Sequence, residues 1–185
     1  EVATGGRNEM ETDMLATSTL ALDLAGNFNP GAAIGAGLVG AVAMLMVIYA
    51  GKTMGMTSMD LLKTLGSMVV PKGSDGVVYG VGLMVHLMMG VMFGLVHSAL
   101  IHAVAPATEG GAAAYGALFG LIHGMVVAVT MPVMLKQMHP LVRSGDMDDP
   151  GVAMTGMGSM TPMGIAMAHV VFGLVTGAVY VGIAG

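Results

Sequence analysis

From Tyr79 to Val104 the chain reads YGVGLMVHLMMGVMFGLVHSALIHAV, without a single Asp, Glu, Lys or Arg but with His86, His97 and His102 inside it. An apolar run of this length can cross the hydrocarbon core of a bilayer, which takes about 20 helical residues. At about 100° per residue, His86, Gly90, Gly94 and His97 return close to one azimuth. That row is small and polar on a helix that is otherwise apolar. It is therefore expected to face protein rather than lipid.

The rest of the chain has the same character. Of its 185 residues 55% are hydrophobic and only 9% charged, against about 25% charged in a soluble domain. So few charges cannot wet a globule, and the composition predicts an integral membrane protein with one helical domain. With no cysteine, disulfides, thiolate zinc sites and Cys-ligated clusters are excluded. The net charge of -5 comes without any basic patch, which argues against a nucleic-acid partner.

Four spans are expected, at about 30–50, 77–104, 112–134 and 162–183, in an all-α fold. Residues 1–28 are polar to mixed and acidic at the start. They show no basic n-region or A-x-A site, so they do not read as an intact signal peptide but as a segment on the membrane surface. Pro30 suits the first turn of the first span. After that span, Thr57 or Ser58 followed by Asp60 reads as a helix start. Leu61, Leu62, Leu65, Met68 and Val69 then recur at helical spacing, giving a short interfacial helix with Lys63 on its wet side. His123 lies near the middle of the third span and His169 in the fourth. Lys52, Lys63 and Lys72 follow the first span, and Lys136 and Arg143 follow the third. By the positive-inside rule both long loops are cytoplasmic and both termini outside, with Arg7 the one dissenter.

The spans form a tandem two-plus-two repeat. Superposing Gly40 on Gly124, and His86-x-x-x-Gly90-x-x-x-Gly94 on His169-x-x-x-Gly173-x-x-x-Gly177, gives offsets that agree within one residue. Two halves in parallel orientation would be related by an axis along the membrane normal. His86 and His169 would then sit at one depth, roughly 13 Å of helix from the loop side. A histidine in hydrocarbon is costly and seeks a partner inside the bundle. Gly90, Gly94, His97, His123, Gly173 and Gly177 read as helix-packing positions, with an interhelical hydrogen bond the plain role for each imidazole. The sharper reading makes His86 and His169 a cofactor-binding pair, for a metal or for a haem between two axial imidazoles. Nothing else in the sequence supports haem.

Methionine is the compositional oddity, with 22 Met against 4 Phe and no Trp. Met54, Met56 and Met59 form M-x-M-x-x-M, while Met154, Met157, Met160 and Met163 recur at every third position. Thioethers select Cu(I), and Met138 with His139 adds a further candidate pair. Pliable packing accounts for methionines equally well. These runs are similar to the methionine motifs of membrane copper importers, though those face outside and these are expected to face the cytoplasm. There is no nucleophile elbow, P-loop or dinucleotide-binding glycine pattern, so no enzyme is expected.

Three words, YAGKTMGMTSMDLLKTLGSMV at 49–69, HLMMGVMFGLVH at 86–97 and HVVFGLVTGAVY at 169–180, together resemble an uncharacterised family of small four-span prokaryotic membrane proteins. In that family a Met-Gly-Met-x-x-Met-Asp loop precedes His-x-x-x-Gly spans. The resemblance implies a four-helix fold in the cytoplasmic membrane and brings no activity with it. The leading expectation is a non-enzymatic accessory or scaffold subunit, packed in lipid against other membrane subunits or copies of itself. Binding or transport of copper as Cu(I) is the alternative, and a b-type haem carrier is the weaker one.

Overall fold

The computed structural model describes residues 28–104 and 108–184; the acidic surface segment expected at the N-terminus lies outside them, as does the turn at Pro106. Among the described residues every regular element is helical. In order they are α1 (Pro30–Thr53), α2 (Leu61–Val69), α3 (Asp75–Val104), α4 (Glu109–Met138), α5 (Pro140–Ser144), a 3-10 segment (Val152–Met157) and α6 (Thr161–Ala184). Four of these, α1, α3, α4 and α6, are long and apolar enough to cross a membrane. The chain is an integral membrane protein of four spans.

Local chemistry sets the helix ends. Asn29 accepts from the Ala32 N–H at 3.0 Å and Pro30 occupies the first turn of α1. Thr108 caps α4 through the Gly111 N–H at 3.0 Å, and Asp60 caps α2 through the Lys63 N–H at 3.1 Å. Each cap satisfies one of the orphan donors of a first turn. α4 runs four residues beyond the expected end of the third span and carries Pro132 inside it. That proline removes one ladder bond, but its buried position against the core lets the helix continue.

Glycines decide how the spans meet. A Cβ on Gly37 would overlap the backbone of Gly90 and Gly94, and one on Gly94 would press on Gly37 and Ala33. In the second half, a Cβ on Gly116 would overlap Gly173, and one on Gly177 would overlap Ala112. The pairs α1–α3 and α4–α6 therefore cross by the same small-residue motif, backbone against backbone. Ala33, Gly37 and Ala41 correspond to Ala112, Gly116 and Gly120, opposite Gly90 and Gly94 in one half and Gly173 and Gly177 in the other.

This register differs by more than one helical turn from the superposition of Gly40 on Gly124. Gly40 faces Thr176 and Phe172 of α6, across the boundary between the halves, rather than the glycines of α3. Gly124 instead meets Ala166 and His169 within its own half. With 30 glycines in the chain, one Gly–Gly match carries little register information.

The halves join unequally. α1 packs closely along α6, whereas α3 and α4, joined at the side of the termini, approach each other mainly through the rings of Phe93, His97 and His123. On the other side the two long loops are sewn together. The Met157 carbonyl accepts from the Ser58 N–H at 2.8 Å, the Ser58 hydroxyl at 3.1 Å and the Thr57 hydroxyl at 3.2 Å. Helix α2 closes this end, its Gly66 against the backbone of Val78 and Gly82 of α3. Leu61, Thr64, Leu65 and Ser67 are buried beneath it, and Lys63 is exposed.

Candidate functional site: a histidine-lined cavity in the bundle

Because α3 and α4 splay apart below Phe93 and His123, they leave a cavity of about 360 Å³. Leu61, Leu65 and Met68 of α2 close it from the loop side, and Phe93 and Phe172 stand among its aromatic walls. Met89 and Thr130, both exposed, lie on its rim between α3 and α4. The opening therefore faces the lipid. Almost the whole lining is aliphatic, aromatic or thioether; the polar exceptions are His86, His123, His169 and Thr130. The Thr130 hydroxyl is already spent on the Val126 carbonyl at 2.8 Å.

The sister histidines are both inside, His86 at 5% exposure and His169 at 7%. Each is anchored to a main-chain carbonyl. His86 Nε2 lies 3.1 Å from the Ala41 oxygen of α1, and His169 Nδ1 lies 2.8 Å from the Ile165 oxygen of its own helix. Two further imidazoles join them. His123 meets the His169 ring edge-on at 4.7 Å between centroids, and its Nδ1 lies 3.4 Å from His97 Nε2. His97 is buried, with Nδ1 unpartnered. Gly90 and Gly94, Gly173 and Gly177 carry the backbone crossings that hold these rings inside the bundle.

The remaining candidate ligands lie elsewhere. His139 is fully buried and has both nitrogens engaged: Nε2 lies 3.0 Å from the Thr64 oxygen and 3.3 Å from the Ser67 hydroxyl, and Nδ1 accepts from the Leu141 N–H at 3.2 Å. It joins α2 to the turn between α4 and α5. The loop methionines divide. Met59, Met154 and Met157 belong to the core, whereas Met54, Met138, Met160 and Met163 are exposed and Met56 is half-buried. Met154 is held at φ 68°, beside Ala153 at φ 49°. A left-handed backbone at two such residues costs on the order of 1–3 kcal/mol each, sustained here by complete burial of the Met154 side chain. Among the described residues no three His, Asp or Glu side chains gather as a metal-holding group.

Asp60 does more than cap a helix. Lys52, the Tyr79 hydroxyl at 2.6 Å, the Tyr49 hydroxyl at 2.8 Å and the Lys63 N–H all donate to it. Burial alone would raise its pKa, but these donors outweigh it and hold the carboxyl down at about 2. One carboxylate thus ties α1, α2 and α3 together beside Met59 and Leu61 of the cavity wall. The sequence places the helix start at Thr57 or Ser58, whereas the cap is Asp60 and the helix begins at Leu61; the hub was missed, its signal being a lone acid between two Tyr-bearing span ends. The Lys136–Asp149 pair on the second loop, at 2.8 Å, is exposed; the hydrogen bond from Lys136 holds Asp149 below the usual carboxylate range.

No family model, curated protein or solved structure matches the chain. The four long apolar helices agree with the four-span architecture implied by the resemblance, and they identify no family.

Proposed function

We propose that this is a non-enzymatic accessory protein of the membrane that works by holding a ligand in the open seam between α3 and α4. One observation carries the reading. Two halves built on the same crossing close one seam and leave the other open, over a cavity into which three histidines are brought. The space is about 360 Å³, large enough for a small ring compound, and its walls are apolar apart from the three imidazoles and Thr130. A copper-binding reading through the loop methionines has less support, since Met59, Met154 and Met157 are packed in the hydrophobic core while Met54, Met138, Met160 and Met163 are exposed.

Mass spectrometry of the gently extracted protein tests this. A small molecule or a neighbouring subunit should stay with the chain; a bare, monodisperse monomer would overturn the reading. We further propose that both long loops face the cytoplasm and the termini lie outside a prokaryotic inner membrane, a reading supported by the lysines of the loops. Because the chain has no cysteine, Thr108→Cys and Ser144→Cys give clean tests. An impermeant maleimide should label the first in intact cells and the second only after lysis.

A further inference from the structure

Resting on that reading, we propose that the cavity binds a hydroxyl-bearing apolar ring compound of the membrane, of the phenol or hydroquinone class, and that it prefers this form to the corresponding quinone. The basis is which nitrogen of each imidazole is free. A carbonyl oxygen can only accept, so the proton of His86 sits on Nε2, facing Ala41, and that of His169 on Nδ1, facing Ile165. In a neutral ring the other nitrogen then carries a lone pair. His86 Nδ1 and His169 Nε2 make no protein hydrogen bond among the described residues, and both rings line the cavity.

The third imidazole supplies the opposite polarity. His97 Nδ1 is buried without a partner, and an orphaned buried N–H is the rarer and costlier state of such an atom. His97 therefore keeps its lone pair there and donates from Nε2 to His123 Nδ1. His123 is left with its N–H on Nε2. The walls thus offer two acceptors and one donor in an otherwise apolar space, the usual composition of a small-molecule site.

A hydroxyl matches this pattern, because it both donates and accepts. A quinone oxygen can use only the His123 N–H and would leave two lone pairs unmatched. Phe93 and Phe172 provide faces and edges for a ring, and the mouth at Met89 and Thr130 admits a molecule already dissolved in lipid. The cavity is far larger than an ion requires, and no chelating group is gathered around it among the described residues. The proposal is one of binding alone.

The test uses the full chain in lipid nanodiscs with a short-tailed hydroquinone, kept reduced by ascorbate, its quinone, and Cu(I) as separate probes. The hydroquinone should bind once per chain and about tenfold tighter than the quinone. His86→Phe and His169→Phe should each weaken hydroquinone binding by about three- to tenfold, the loss of one hydrogen bond, and leave the quinone unchanged. Should either variant fail to fold, ¹⁵N spectra of the wild-type imidazoles decide instead: hydroquinone, and not quinone, should shift the His169 Nε2 resonance. Equal affinity for both forms, or no shift, overturns the proposal, as does stoichiometric Cu(I) binding without hydroquinone binding. A partner or other ligand in the mass spectrum, with neither ring compound bound, sinks this ligand class and spares the function proposed above; a bare monomer that also binds no probe sinks both.

Discussion

The two seams between the halves are built from related helices and end differently. Along α1–α6, Gly40 lets Thr176 and Phe172 come against backbone, and the helices close. Along α3–α4 the space is bounded by Val85, Met89, Val127 and Met134, and it stays open. The internal crossings are alike, so the asymmetry does not come from them. It follows from which residues fall at the seams: α1 carries a glycine on its second face, whereas α3 presents Val85, Met89 and Phe93 to the space beside α4. A duplicated fold can thus use one copy of a contact for cohesion and release the other for binding.

The sharpest way to break this comparison is Gly40→Val. Its new methyl groups would meet Thr176 and the Phe172 carbonyl in a seam with no slack, and a loss of about 3 kcal/mol or more is expected, read as a lowered thermal midpoint in detergent. Asp60→Asn comes next, at about 2 kcal/mol, because it leaves Lys52 without its partner and weakens the tie among α1, α2 and α3. For the native carboxylate the folded pKa is depressed to about 2. Its contribution is therefore complete above the ordinary carboxylate range and disappears as pH falls from about 4 through 2. Melts of wild type and Asp60→Asn should converge across that window. Val127→Phe probes the open seam: the ring has room, so stability should move by less than about 1 kcal/mol while ligand retention is lost. Met54→Leu, on a side chain 73% exposed, should change the midpoint within about 0.5 kcal/mol.

What the sequence disclosed divides along the same line. Charge-free runs report spans because the bilayer penalises every ion in them, so the four helices and the Pro30 start of the first could be read locally. The row from His86 to His97 could be marked because azimuth on a helix is also local. Which row meets which is not. Gly40 and Gly124 are indistinguishable as letters, and only packing shows one on a seam between halves and the other within a half. His97 and His123 were marked as packing residues one by one; that they form a chain of rings with His169 depends on the splay of α3 and α4, which no spacing encodes. The methionine run misled in a similar way. Regular spacing suggests convergence, but the left-handed turn at Ala153 and Met154 buries Met154 and Met157 and sends Met160 and Met163 outward.

The stitching of Thr57 and Ser58 to Met157 and Thr161 has a consequence for how the molecule is made. At ribosomal speeds of 5–20 residues per second, the partners of the first loop emerge on the order of ten seconds after it does. During that interval α1 and α3 already hold α2 through Asp60, and His139 reaches Thr64 and Ser67 before Met157 is made. A nascent chain stalled before residue 157 would therefore keep α2, the floor of the chamber, seated on α3, while the loop at Thr57 and Ser58 still lacked the carbonyl that pins it to the second half.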